Sequence, residues 1–153
     1  MTSGMQQVLF LCSGNYYRSR HAEIYFNWQA ERSGIAWRAL SRGLALSDCN
    51  VGALSTHTQS RLTTLSIPWE PYVRLPMALS EGDLEAADFV VAVKAAEHRT
   101  MVEKLFPAWL ERIEFWQIDD LDCATPDAAL PQLESQVVRL LEHLAERAGS
   151  SAA

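Results

Sequence analysis

Cysteine is scarce in this chain of 153 residues: there are three, Cys12, Cys49 and Cys123. An odd number with no Cys-x-x-Cys pair suggests neither a disulfide framework nor a zinc site. The four histidines are scattered and form no ligand-like cluster, so no metal or other cofactor is expected. Long apolar runs are missing too; none approaches the ~20 residues of a bilayer span. Met1 to Gln7 is polar and lacks the charged-then-apolar order of a secretory signal. The expected setting is therefore the cytoplasm, with no membrane partner. Positive charge is in deficit, with 13 Lys and Arg against 19 Asp and Glu and a formal net charge of -6. That balance argues against a nucleic-acid or membrane-surface binder, which needs a basic face. It leaves room for a local positive pocket for a small anion. Repeats, low-complexity tracts and linkers are absent, so one domain is expected over residues 1–153, with a frayed tail at 149–153.

What the chain does have is a globular composition, 48% apolar and 21% charged, which suffices for an ordinary core. Val8-Leu9-Phe10-Leu11 reads as a strand buried on both faces. Arg18 to Glu31 reads as a helix with Ala22, Tyr25, Phe26 and Ala30 inward. Ile35 to Leu40 is a second strand, and Val51 to Leu65 a helix with Val51, Leu54, Leu62 and Leu65 on one side. Three prolines make Ile67 to Pro76 irregular, and Ser80 with Asp83 forms a capping box. Phe89 to Val93 is a strand, Glu97 to Phe106 a helix stopped by Pro107, and Ile113 to Ile118 the last strand. Leu130, Leu133, Val137, Leu140, Leu141 and Leu144 make a final helical stripe. Strands alternating with helices predict an α/β fold: a three-layer sandwich around a four-stranded parallel sheet, Rossmann-like or flavodoxin-like. Right-handed crossovers put every strand's carboxyl end on one edge, where ligands bind.

Chemistry gathers after the first strand. Cys12-Ser13-Gly14-Asn15-Tyr16-Tyr17-Arg18-Ser19 is a Cys, five residues, an Arg and a Ser, leading straight into a helix. A loop in that place can turn its N–H groups inward above the helix N-terminus, which suits a phosphate or another tetrahedral oxyanion. Ser13, Gly14, Asn15, Tyr16, Tyr17 and Arg18 are then the phosphate-binding residues. Gly14 and Asn15 are types that tolerate positive φ. The Arg18 fork can hold two oxygens, and the positive surroundings would favour Cys12 as a thiolate nucleophile. Ser19 can donate to that sulfur. Tyr16 and Tyr17, at the lip, either stack on an aromatic substrate or pack over the adjacent loop.

Val8 to Asn15, then Arg18-Ser19 and Ala22-Glu23, resembles the signature of the low-molecular-weight protein tyrosine phosphatases. Ser41-Arg42-Gly43 is similar to the family's Ser-Ala-Gly. Leu84 to Val93, His98 and Leu105-Phe106-Pro107 also resemble its pattern. The resemblance implies Cys12 as nucleophile, Arg18 as clamp, Ser19 as thiolate partner and Asn15 as the residue holding the loop's shape. It implies a phosphorylated protein or a small phosphate ester as partner, and no metal. The family's acid is an Asp before Pro, two residues after an apolar strand position. Ile118 then points to Asp120, with Asp122 as the alternative and Asp119 third; all three also suit solvated turns or helix caps.

Here Leu121 stands where that Pro would be, Arg20 follows Arg-Ser in place of Pro, and Arg42 replaces a small residue. Arg20 is expected either to contact a phosphorylated partner or to lie exposed and pair with Glu23. Arg20 and Arg42 would add basic groups at the phosphate edge. His21 and His98 could lie near the site, but each is expected to be an ordinary surface or helix residue. Two other functions share the loop. A phosphate-binding module with little turnover would follow from a weak acid. A thioredoxin-coupled arsenate reductase needs further thiols, and Lys94 to His98, where they would stand, has none.

Overall fold

The structure, a computed structural model, describes residues 5–121 and 123–152, leaving aside the side chains of 148–152. Four strands form one sheet: β1 (Gln6–Cys12), β2 (Trp37–Gly43), β3 (Phe89–Ala92) and β4 (Ile113–Phe115). Their order is β2-β1-β3-β4, and all three pairings are parallel. Five α-helices connect and cover them: α1 (Arg18–Ser33), α2 (Thr56–Thr64), α3 (Glu81–Ala86), α4 (Ala95–Leu105) and α5 (Pro126–Ala152). Short 3-10 turns lie at Glu70–Tyr72 and Pro107–Arg112. This is the α/β sandwich that the alternation of elements predicts. Among the described residues no helix is long and apolar enough to cross a membrane.

Side chains of a strand alternate between faces, and β1 fills both. Val8 and Phe10 point to the side of α1 and α5, where Ala22, Phe26, Leu130, Leu133, Val137 and Leu144 are buried. Leu9 and Leu11 point to the other side, against Leu84 of α3 and Val102 of α4. Each fully buried large apolar side chain contributes about 1.5–3 kcal/mol, so the two layers hold the central strands firmly. The chain leaves β1 toward β2 on one side and returns through β3 on the other. The carboxyl ends of β1 and β3 therefore flank a crevice at the switch point.

Several boundaries differ from expectation, each for a local reason. β2 starts at Trp37, because Gly34 (φ 68) ends α1 and Ile35 N–H turns back to the Ala30 carbonyl. It runs on to Gly43 because β1 pairs with it as far as Cys12. α2 starts only at Thr56: Gly52 has φ 79, which no helix accommodates, and Val51 is 83% exposed instead of facing inward. β4 stops at Phe115, although Trp116 and Ile118 N–H still bond the carbonyls of Ala92 and Val93. The Ser80–Asp83 capping box is present in both directions. The tail expected to fray at 149–153 instead continues α5 as far as Ala152; its side chains and all of residue 153 lie outside the described residues.

Candidate active site

The turn from β1 into α1 is held by Asn15, whose φ of 51 is left-handed. Asparagine tolerates that region better than most residues, and its side chain uses the position fully. The Asn15 amide donates to Ser19 Oγ (2.9 Å) and Ser41 Oγ (3.0 Å). Its Oδ1 accepts from Arg74 (3.0 Å) and from Met77 N–H (2.9 Å). Gly14 does not need its conformational freedom; its value is space, since a Cβ there would meet Asn50 Nδ2 at 3.2 Å.

The Cys12 sulfur, at the end of β1, is almost fully buried and accepts from Asn15 N–H at 3.3 Å. Ser19 Oγ lies 2.9 Å from it, on the first turn of α1. Arg18, 2% exposed, opens the same helix. Its Nη1 donates to the Ile118 carbonyl (3.0 Å), and its Nη2 to Glu97 Oε2 (2.9 Å) and Asp120 Oδ2 (3.2 Å). Cys12, Gly14, Tyr16, Tyr17, Arg18 and Asp120 line one pocket of about 280 Å³, walled further by Cys49 to Val51, Ser55 to His57 and Leu121. The structure thus brings the expected cysteine, arginine and first-choice carboxylate around one space. Asp119 is turned aside to Lys94 (2.7 Å). Asp122 lies outside the described residues.

Other expected residues stand behind the loop. Ser13 points its hydroxyl away from the pocket, to Glu97 and to His98 Nε2 (3.1 Å). Tyr17 is buried; its hydroxyl has no partner among the described residues, and burial pushes it up to about 12. Its ring stands edge-on to His57, while the Tyr16 hydroxyl caps the Val51 carbonyl. Both tyrosines therefore pack against the neighbouring loop and helix while still lining the pocket.

Arg20 is neither exposed nor paired with Glu23. It is 1% exposed and donates to four carbonyls, of Asn15, Ala53, Tyr72 and Arg74, at 3.0–3.2 Å. Burial, then the charge of Arg74, lowers it to about 10. Glu23 instead accepts from Ser41 (2.6 Å) and Arg74 (3.4 Å). Arg42 is engaged with Asp83 (3.2 Å) and its neighbouring carbonyl. Arg20 thus reaches the loop at the Asn15 carbonyl, and a second basic group, Arg74 from the proline-rich segment, reaches it at Asn15 Oδ1; sequence reasoning missed Arg74. His21 and His98 are both fully buried, so neither is a surface residue. Glu97 was also missed; its one signal was its place just beyond the carboxyl end of β3. Among the described residues no three His, Cys, Asp or Glu side chains are placed to hold a metal.

Known proteins share this fold. YfkJ from Bacillus subtilis superimposes with a TM-score of 0.82 at 21% identity, covering 96% of this chain and 99% of its own. The YwlE arginine phosphatase from Geobacillus stearothermophilus follows at 0.75 and 21%, covering 93% and 94%. A thioredoxin-dependent arsenate reductase from Corynebacterium glutamicum reaches 0.71 at 16%, covering 96% of this chain and 65% of that one. At such identities these likenesses concern the fold. No curated protein matches. The family model for low molecular weight phosphotyrosine protein phosphatase matches residues 7–147, a span that takes in the strand, the loop and every helix around the pocket. With that model matched over nearly the whole chain, the chain belongs to the low molecular weight phosphotyrosine protein phosphatases and is a hydrolase.

Proposed function

We propose that this phosphatase hydrolyses phosphotyrosine or simple aryl phosphate esters through a phosphocysteine intermediate. The observation that carries the reading is the meeting of Cys12, Arg18 and Asp120 around one pocket. The Cys12 thiolate attacks phosphorus; the Sγ–P bond forms as the P–O bond to the aryl group breaks. The Arg18 fork and the loop hold the equatorial oxygens, where charge spreads in the transition state. Asp120 protonates the leaving oxygen. Water then attacks the phosphocysteine, Asp120 takes its proton, and Cys12 leaves as a thiolate steadied by Ser19 and by Asn15 N–H. The substrate is a phosphorylated protein or a small phosphate ester of the cytoplasm, handled with no metal or other cofactor.

Arg18 has a second use for Asp120. Nη2 binds the carboxylate, and a phosphoryl dianion competes for the same nitrogen. Substrate binding then frees Asp120 from Nη2, so that its carboxyl can reach the leaving oxygen. An acid so released works without the proline that usually follows it.

Hydrolysis of an aryl phosphate, followed from mildly acidic to neutral pH, tests the reading. Cys12→Ser is expected to abolish it. Asp120→Asn is expected to lower kcat by about 10²-fold, with vanadate binding kept. Unchanged kcat in that variant would move the acid to Asp122. A wild-type protein that binds vanadate with background turnover would be a binding module instead. Cys49 on the pocket wall supports a second reading, arsenate reduction with Cys49 resolving a Cys12–arsenic adduct. Arsenate-dependent loss of thiols, abolished by Cys49→Ser, is its signature.

A further inference from the structure

Glu97 has no part in the steps above, yet three donors converge on one of its oxygens. It lies in the first turn of α4, three residues beyond Lys94. Its Oε2 accepts from Arg18 Nη2 at 2.9 Å and from the Ser13 hydroxyl, with His98 Nε2 at 3.2 Å. The His98 ring is oriented by its far side. Lys94 N–H donates to Nδ1 at 3.2 Å, so the ring proton sits on Nε2 and faces Ser13 and Glu97. A chain of bonds thus runs from the end of β3, through His98 and Ser13, to Glu97 and Arg18. These bonds, that from His98 foremost, hold the Glu97 carboxyl well below the usual carboxylate range.

The two carboxylates on Nη2 are unequal. Asp120 is 41% exposed and makes that one ion pair among the described residues, whereas Glu97 is 25% exposed and has three donors. An arriving phosphoryl group therefore displaces Asp120 and leaves Glu97 in place. With Nη1 on the Ile118 carbonyl and Nη2 on Glu97, the guanidinium plane stays fixed. The hydrogen that Asp120 gives up, with a neighbouring N–H of the same group, then meets two phosphoryl oxygens without reorientation.

We propose that Glu97 is a positioning residue for the phosphatase reaction, fixing the Arg18 guanidinium and the Ser13 end of the phosphate loop through its single oxygen Oε2. The proposal rests on Arg18 being the clamp. It is tested by steady-state hydrolysis of an aryl phosphate. Glu97→Ala is expected to lower kcat by about 10²-fold with KM little changed, because Arg18 keeps its charge. Glu97→Gln places an amide oxygen where Oε2 was and is expected to restore kcat to within about 3-fold of wild type. Wild-type kcat in Glu97→Ala, or a Gln variant as impaired as the Ala variant, would overturn the proposal. If circular dichroism shows Glu97→Ala unfolded, Glu97→Asp replaces it; one methylene short of both partners, it too must lose kcat. Arg18→Ala separates the two layers of the argument. Activity surviving in Arg18→Ala removes the clamp itself, while an inactive Arg18→Ala beside a fully active Glu97→Ala removes only the role of Glu97.

Discussion

Neighbours on α1, Arg20 and His21 are both buried, and they are buried by different means. Arg20 finds carbonyls. His21 finds Glu134 of α5, with Nε2 at 2.9 Å from Oε2, while Arg61 of α2 grips both oxygens of the same carboxylate. Tyr25 stacks on the ring from its own helix. Nδ1 has no partner among the described residues, so a proton added there would have no acceptor. Burial accordingly pushes His21 below its ordinary value, and the bond to Glu134 only partly offsets this. Glu134 is held below its own ordinary value because the bonds from Arg61 and His21 outweigh its burial.

The consequence for stability has one sign. The unfolded chain takes up a proton on His21 near pH 6.5 that the folded chain refuses, so stability is full above that pH and falls below it. Glu134 adds a further loss below about pH 4.3. The urea midpoint is expected to fall between pH 7 and 5.5, with the His21 imidazole still neutral by NMR at pH 5.5. An ordinary titration of His21 in the folded protein would refute this. Nothing near either residue in sequence announces the burial. Glu134 is 113 positions from His21, and the carbonyls that Arg20 binds reach 54 positions away. Polarity alone therefore gives no sign that either is buried.

At the scale of elements, local pattern served well where one face is apolar throughout. The α5 stripe was legible from its helical period and β1 from its short unbroken run of strand formers. Boundaries set by a single backbone angle, such as Gly34 and Gly52, were not. The phosphate loop was legible for its residue types, and the family resemblance supplied their roles. Of its supports, Ser41 was marked by the family resemblance, whereas Arg74 and Glu97 come from separate stretches of chain and carry no spacing that marks them.

Gly43 joins these pieces at the end of β2. Its N–H bonds Met77 and its carbonyl accepts from Leu79, while the next two N–H groups bond the carbonyls of Cys12 and Ser13. A Cβ at Gly43 would stand 2.6 Å from Leu46 Cδ2, 2.7 Å from the Ser13 carbonyl and 3.0 Å from Asn15 Cβ. Leu46 can swing away; the Ser13 carbonyl can move only with the loop. Gly43→Ala is therefore expected to cost about 1–3 kcal/mol of stability and to weaken vanadate binding together. A variant with a lowered melting temperature and unaltered vanadate affinity would contradict the coupling.

At the scale of the molecule, a chain of net charge -6 matches the arginines nearest the site individually. Arg18, Arg20, Arg42, Arg61 and Arg74 all have partners in or around the sheet edge. Binding a phosphate here means exchanging partners on one guanidinium and needs no basic surface, so the bulk charge said little about the site. Overall topology was the most legible level, because alternating strands and helices leave few ways to close a parallel sheet.

The four carbonyls on Arg20 tie the phosphate loop to Ala53 and to the irregular segment through Tyr72 and Arg74. That clasp makes two stretches of chain open together or not at all. Local openings of a native protein follow such cooperative units. In hydrogen exchange, amides of residues 67–79 should therefore share their protection with those of residues 13–17. Arg20→Ala should release both at once and leave β1 and β3 slow, whereas faster exchange in only one stretch would mean that they breathe independently.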